Sequence, residues 1–190
     1  MKNRNFKPYL LVVVLVLAAL ACTVSAGGPD YPAQTVPVTT DDAQSLREQI
    51  EQALIAGAET GIVSLQITEG QLTSFIADKM AQQTNPPFTD PQILLRNGQM
   101  QMYGKVTQGW FTANMLITMN VGVDEATGQP KIEVASADFG PLPAPEGLNS
   151  AITALISEAF TGSLGPVAVG FRLESITIAD GIMTLTGRIR

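Results

Sequence analysis

The chain has no histidine and a single cysteine, Cys22, close to its N-terminus. Serine–histidine and thiol–imidazole catalysis both need an imidazole, and most zinc sites use histidine or cysteine ligands. The acidic residues Asp124, Glu125, Asp138 and Asp180 fall in predicted turns or beside a proline-rich loop, where local structure accounts for them. No glycine-rich phosphate loop follows a predicted strand, and "DEATGQP" lacks the spacing of a calcium loop. The sequence therefore predicts a protein that is not an enzyme and that needs no metal or cofactor.

Basic residues are also scarce, with 11 Lys and Arg against 17 Asp and Glu. Three of the basic residues, Lys2, Arg4 and Lys7, precede the apolar N-terminal run, and without them the net charge is about −9. Such a balance argues against nucleic acid as a partner and against electrostatic docking onto anionic lipid. Membrane association would therefore need an anchor.

The one long apolar run, Leu10–Ala21, follows the basic N-terminal residues, and this pattern predicts an export signal at residues 1–21. The run is shorter than the ~20 residues of a typical membrane span. Cys22 ends the sequence "LAALAC", which resembles a bacterial lipoprotein lipobox, although Ala19 stands where leucine is usual. The resemblance implies a lipidated Cys22 that anchors an exported protein in the bacterial cell envelope. Two alternatives are secretion after cleavage behind Ala26 and anchoring by an uncleaved N-terminal helix.

Residues 22–40 are rich in Thr, Pro, Gly and Ala, carry one charge and have no periodicity, which predicts a flexible tether. Residues 41–190 are then a single domain. A domain of ~150 residues buries close to 70% of its unfolded surface. Because no disulfide is available to this domain, packing must stabilise it.

Periodicity in the domain predicts three amphipathic helices separated by groups of strands. Two of the helices are expected at 41–57 and 146–161. The third is expected between them, after a capping box formed by Thr68 and Gln71. Tight hairpin turns are expected at Asn97-Gly98 and Asp180-Gly181. The fold class is therefore α+β, with a curved antiparallel sheet of about six to seven strands and two to three amphipathic helices packed on one face.

The strand predicted from Phe111 to Val123 carries an apolar residue at every second position, and methionines are frequent in the predicted sheet. Methionine adapts to variable apolar partners, so two interpretations are open: a deformable ligand cavity and a solid core. Trp110 does not fall on the alternating apolar positions of this strand. It marks a rim or a membrane-facing end, or it is a packed surface aromatic. The candidate lining for an apolar ligand is Leu72, Phe75, Ile76, Phe111, Met115, Ile117, Met119, Leu155 and Phe160.

Three passages, "ITEGQLTSFIADKM", "ADFGPLPAP" and "FRLESITIADGIMTLTGRIR", resemble bacterial envelope proteins of the YpmS-like type and LmeA-like phospholipid-binding proteins. The resemblance covers about residues 62–190. It implies a membrane-anchored domain, in the style of tubular lipid-binding folds, that holds phospholipid without catalytic residues. Lipidation at Cys22 would replace the uncleaved helix expected in some relatives.

The leading hypothesis is envelope-tethered, non-enzymatic binding of a lipid or another apolar ligand between the sheet and the helices. The alternative is a lipoprotein interaction module with a solid core that engages a protein partner in the envelope.

Overall fold

The computed structural model of the chain describes residues 24–142, 154 and 171–189. The fold class predicted from the sequence, α+β, is confirmed. All of the helix predicted at 146–161 except Ala154 lies outside the described residues, as do the predicted export signal and Cys22. In chain order the elements are β1 (Val24–Gly27), α1 (Thr40–Thr60), β2 (Ile62–Thr68), α2 (Glu69–Ala81), β3 (Thr89–Arg96), β4 (Gln99–Gln108), β5 (Phe111–Asp124), β6 (Gln129–Asp138), β7 (Phe171–Ala179) and β8 (Ile182–Ile189).

Both described helices begin at threonine caps. The Thr39 side chain accepts a hydrogen bond from the Asp42 amide at the start of α1. At the start of α2, Gln71 N donates to Thr68 Oγ1 at 3.2 Å, and Thr68 N donates to Gln71 Oε1 at 3.0 Å. This reciprocal pair is the predicted capping box, and it satisfies amides that a helix N-terminus otherwise leaves unpaired. Neither described helix is both long enough and apolar enough to cross a membrane.

The larger sheet is built around β5, which has β4 along one side and both β1 and β6 along the other. β6 runs antiparallel to the C-terminal part of β5, whereas β1 pairs in parallel with residues 111–113. The predicted turn between β3 and β4 is confirmed, because Asn97 and Gly98 have φ values of 53° and 77°. These positive values match the right-handed twist of the two flanking strands.

The remaining strands form a second sheet in the order β2-β8-β7. β2, which stands between the two helices in sequence, pairs with β8 from Ile62↔Arg188 to Thr68↔Ile182. The sequence pattern had placed all strands in one sheet, because alternation identifies the buried face of a strand but not its neighbour.

The two sheets and the two helices share one apolar core. β5 contributes three side chains with no exposed surface, Met115, Ile117 and Met119, and β8 contributes a fourth, Met183. All four belong to the same cluster of buried residues, together with side chains from α1, α2 and β2. The methionines of the sheets therefore act as core residues that join one sheet to the other.

The predicted flexible tether is wrong for residues 24–39, which we call the strap. The strap begins as β1 and then crosses the outer, more polar face of the larger sheet. Asn114 Nδ2 donates to Pro29 O at 3.1 Å, and the Tyr31 ring lies edge-on to Tyr103 with the centroids 6.0 Å apart. Composition missed these contacts because the strap binds through its backbone and one aromatic ring, and such contacts leave no periodic pattern.

Gln92 of β3 fixes the C-terminal part of the strap with both ends of its amide. Val36 N donates to Gln92 Oε1 at 2.6 Å, and Gln92 Nε2 donates to Val36 O at 3.1 Å. At the end of the strap, Thr39 N donates to Ser74 Oγ at 3.0 Å, which brings the chain to the start of α1. The strap therefore belongs to the folded domain.

Candidate functional site

The predicted lining residues lie in two environments. Six of them are buried in the shared core, and Phe111 is 49% exposed at the start of β5. Leu155 and Phe160 lie outside the described residues. The six buried residues are Leu72, Phe75, Ile76, Met115, Ile117 and Met119.

Packing against the rest of the core accounts for the burial of these six side chains, so no ligand is needed to explain it. Among the surface grooves that described residues line, two stand out, and none of the seven described lining residues takes part in either. A ligand between the larger sheet and the helices therefore stays a prediction.

The larger groove, which we call the strap groove, has a volume of about 810 Å³. It lies between the strap, the C-terminal end of α2 and the segment that leads into β3. Its lining residues are Tyr31, Thr35, Val36, Pro37, Val38, Ala77, Met80, Ala81, Pro86, Phe88, Thr89, Asp90, Pro91, Gln92 and Lys105.

The floor of the strap groove is apolar and is part of the core. Phe88 and Met80 are only 2% and 5% exposed, so both are held by the core beneath. Gly104 of β4 lies under Phe88, and a Cβ at this position would come within 2.7 Å of Phe88 Cδ2. The bare backbone of Gly104 thus makes room for the ring. The walls add Val36 and Val38 from the strap, which gives the groove the character of a site for an alkyl or aromatic group.

One end of the strap groove is polar. Lys105 Nζ lies 2.7 Å from Asp90 Oδ2 and 5.9 Å from the centroid of the Tyr31 ring. The Tyr31 hydroxyl donates to the Asp90 backbone carbonyl. Asp90 has a φ of 51°, and it sits at an irregularity in the β3–β4 register, where a strand changes the direction of its side chains.

The Tyr31 phenol remains protonated over a wide pH range. Partial burial and, second, the nearby Asp90 carboxylate raise the pKa of Tyr31 to about 12. At neutral pH the polar end therefore offers a neutral hydroxyl, an ammonium and a carboxylate. The last two form an ion pair, so this end has no net charge.

The smaller groove, of about 490 Å³, lies between α1 and the smaller sheet. Its lining residues are all uncharged, and glutamine and serine or threonine side chains dominate: Gln49, Gln52, Ala53, Ser64, Leu65, Gln66, Thr68, Gln71 and Ile182. Gln71 is already committed to the capping box and to Ser45 Oγ, which its Nε2 reaches at 3.0 Å. This groove is the poorer candidate, because it lacks both a continuous apolar wall and a charged group.

Within the described ranges, no group of three or more His, Cys, Asp or Glu side chains is placed to hold a metal ion. The same residues contain no buried side-chain nitrogen or oxygen without a hydrogen-bond partner. The strap groove is therefore distinguished by its shape and by its mixture of apolar and polar surface.

Comparison of the sequence with protein-family models finds no matching family, and comparison with curated proteins finds no match. The function is accordingly inferred from the geometry of the chain. Sequence reasoning missed the strap groove because one wall is the segment interpreted as a tether. The signal that could have revealed it is the apolar content of that segment, with Tyr31, Val36, Pro37 and Val38 within eight positions.

Proposed function

We propose that this protein is a non-enzymatic binding domain of the bacterial cell envelope, and that it takes a lipid or another apolar ligand in the strap groove. The observation that carries the proposal is the combination of an apolar floor, formed by Met80 and Phe88, with a polar end, formed by Tyr31, Asp90 and Lys105. Ligand pockets in proteins span roughly 300–1,000 Å³ and join apolar walls to a few placed polar groups. The strap groove, at about 810 Å³, fits that description.

The arrangement favours an amphipathic molecule whose hydrocarbon part lies along the floor. Burial of the hydrocarbon supplies the affinity, at roughly 25 cal/mol per Å² of apolar surface removed from water. Because Lys105 and Asp90 neutralise each other, the polar end suits an uncharged or zwitterionic group that accepts a hydrogen bond from the Lys105 ammonium or donates one to the Tyr31 hydroxyl oxygen.

The location of the groove agrees with a tethered protein. The predicted export signal would direct the chain to the envelope, and the lipidation predicted at Cys22 would hold it at the membrane. The strap, which starts two positions after Cys22, forms one wall of the groove. A ligand in the groove would therefore contact the segment that links the domain to its anchor.

The interface between the larger sheet and the helices is the other location for the same ligand. The six described residues predicted to line it are buried against one another, so a guest there would require the core to repack. The strap groove accepts a ligand without such a rearrangement, and for this reason it is the better-supported site.

The test fills the groove of the full-length protein. Ala81 lines the groove at an exposed position, so Ala81→Phe should block it without disturbing the core. Ala58, exposed on α1, provides the matched control Ala58→Phe. We expect native mass spectrometry of gently purified protein to show bound lipid for the wild type and for Ala58→Phe, and much less for Ala81→Phe. Equal lipid occupancy in all three would show that the groove is not the site, and a ligand-free wild type would refute the binding function.

A second candidate function, engagement of a protein partner in the envelope, is favoured by β6. Among the described strands β6 pairs with β5 alone, and Val134 on its core-side face is 46% exposed. An edge of this kind can receive a strand from another protein. Cross-linking in intact cells from a photoreactive residue at position 134 tests this candidate, since one stoichiometric protein adduct would support it and lipid adducts alone would not.

A further inference from the structure

Two neighbouring aromatic residues stand exposed at one end of the larger sheet. Trp110 is 65% exposed and Phe111 is 49% exposed, where β4 turns into β5. Gln108 pairs with Phe111, so the turn consists of Gly109 and Trp110, and Gly109 takes the positive φ of 59° that such a short connection needs. We call residues 109–111 the aromatic tip.

The sequence on either side of the aromatic tip carries no charge. The sequence from Val106 to Ala113, "VTQGWFTA", contains no acidic or basic residue, although the chain as a whole has a net charge of −6. Exposed aromatic side chains in an uncharged setting are typical of surfaces that enter the interface between lipid headgroups and acyl chains. An acidic domain has no electrostatic attraction to anionic lipid, so such a contact would depend on the aromatic rings.

The strap places the membrane-proximal part of the chain beside this tip. β1 pairs with β5 in the register Val24↔Phe111, and the proposed lipidated residue, Cys22, stands two positions before Val24. Two residues extend at most about 7 Å. An uncleaved helix over Leu10–Ala21, the alternative anchor, would also end just before this strand.

We propose that the aromatic tip inserts Trp110 and Phe111 into the interfacial region of the bilayer to which the chain is attached. The domain is then held on the membrane at two adjacent points, the anchor that precedes β1 and the two rings. Together they determine which end of the larger sheet faces the lipid. The proposal requires membrane attachment at or before Cys22. It does not depend on what the strap groove binds, so its failure and that of the binding function are separable.

Trp110 is itself the probe, because it is the only tryptophan of the chain. Full-length anchored protein is reconstituted into vesicles of phosphatidylcholine and phosphatidylglycerol, with and without lipids brominated near the glycerol end of the acyl chain. We expect brominated lipid to quench the Trp110 emission and the aqueous quencher acrylamide to reach Trp110 poorly. Trp110 that is fully quenched by acrylamide and unaffected by brominated lipid would overturn the proposal.

Two variants separate insertion from mere proximity. Phe111→Ser removes one of the two rings, and we expect it to shift the Trp110 emission to longer wavelength and to restore quenching by acrylamide. Ile55→Ser, a matched change at an exposed position on α1, should leave both properties at the wild-type value. Identical behaviour of Phe111→Ser and Ile55→Ser would count against insertion. A full-length chain that does not associate with the vesicles would overturn the attachment and the proposal together.

Discussion

Gly104 shows how a single position without a side chain shapes both the core and the strap groove. A Cβ built there would lie 2.7 Å from Phe88 Cδ2, 2.9 Å from Met115 Cε and 3.2 Å from Thr89 O. The sequence shows the glycine and its place in an alternating strand. It does not show the aromatic ring above it, because Phe88 comes from a different segment of the chain.

We expect Gly104→Ala to destabilise the protein by about 1–3 kcal/mol, since overpacking of a filled core costs this much. Phe88 and Met115 are both buried and have little room to withdraw. Gly122→Ala is the control, because a Cβ at Gly122 of β5 would meet no atom within 4 Å. Urea unfolding of the three proteins measures the difference, and equal midpoints for the two variants would contradict this account of Gly104.

The raised pKa of Tyr31 predicts that the protein loses stability at alkaline pH. Its pKa is about 12 in the folded protein against an ordinary value near 10, with burial as the first cause and Asp90 as the second. Between these two values the unfolded chain releases a proton that the folded chain retains, so the free energy of unfolding falls as the pH rises.

The measurement is the urea midpoint as a function of pH, supported by the ultraviolet absorbance of the phenolate. We expect Tyr31→Phe to reduce the alkaline decline, because it removes this proton. Tyr103→Phe, which leaves Tyr31 in place, should retain the decline. A decline of equal size in Tyr31→Phe would assign the effect to other groups.

At the level of elements, the sequence predicted what short-range chemistry determines. The capping box of Thr68 and Gln71 and the turns at Asn97-Gly98 and Asp180-Gly181 all occur as expected, because each depends on residues within three positions of one another. The pairing of β2 with β8 and the path of the strap were missed. Both depend on partners far away in sequence, about which local patterns carry no information.

The position of the strap depends strongly on Gln92, whose side-chain amide bonds both backbone groups of Val36. We expect Gln92→Ala to cost about 1–3 kcal/mol, because polar groups in a partly buried contact lose their partners. Hydrogen exchange should show faster exchange at the Val36 amide than in the wild type. Gln99→Ala removes a glutamine hydrogen bond to Asn120 on the surface of the same sheet, and it should leave exchange at Val36 unchanged.

The apolar content of the strap hints at a buried face, but the full lining of the strap groove could not be predicted from the sequence for the same reason. Its floor comes from α2 and the segment before β3, its wall comes from the strap, and its polar end joins Tyr31 to Lys105 of β4. The sequence did identify the apolar character of β5 and α2. It assigned those side chains to a ligand site, which stays a prediction, and in the described part of the fold they lie in the core that the two sheets share.

For the molecule as a whole, the shared core predicts that both sheets unfold together. Met183 lies in β8 of the smaller sheet, has no exposed surface and belongs to the same buried cluster as Met115 and Ile117 of the larger sheet. We expect Met183→Ala to destabilise by about 2–5 kcal/mol, the usual range for deletion of a large buried side chain. Ile182→Ala, at a more exposed neighbouring position, should cost less.

Circular dichroism and Trp110 fluorescence together check this prediction during urea unfolding. Circular dichroism follows all helices and strands, whereas Trp110 reports the β4–β5 end of the larger sheet. One coincident transition is expected for the wild type and for Met183→Ala. Two separated transitions in Met183→Ala would show that the sheets are independent units.

The strap has a consequence for the order in which the chain acquires its structure. Its hydrogen-bonding partners Gln92 and Asn114 lie 56 and 85 positions further along the chain. During synthesis the strap emerges before the strands that receive it have been made. The strap therefore precedes its partners in the chain but is among the last parts of the domain to reach its final position.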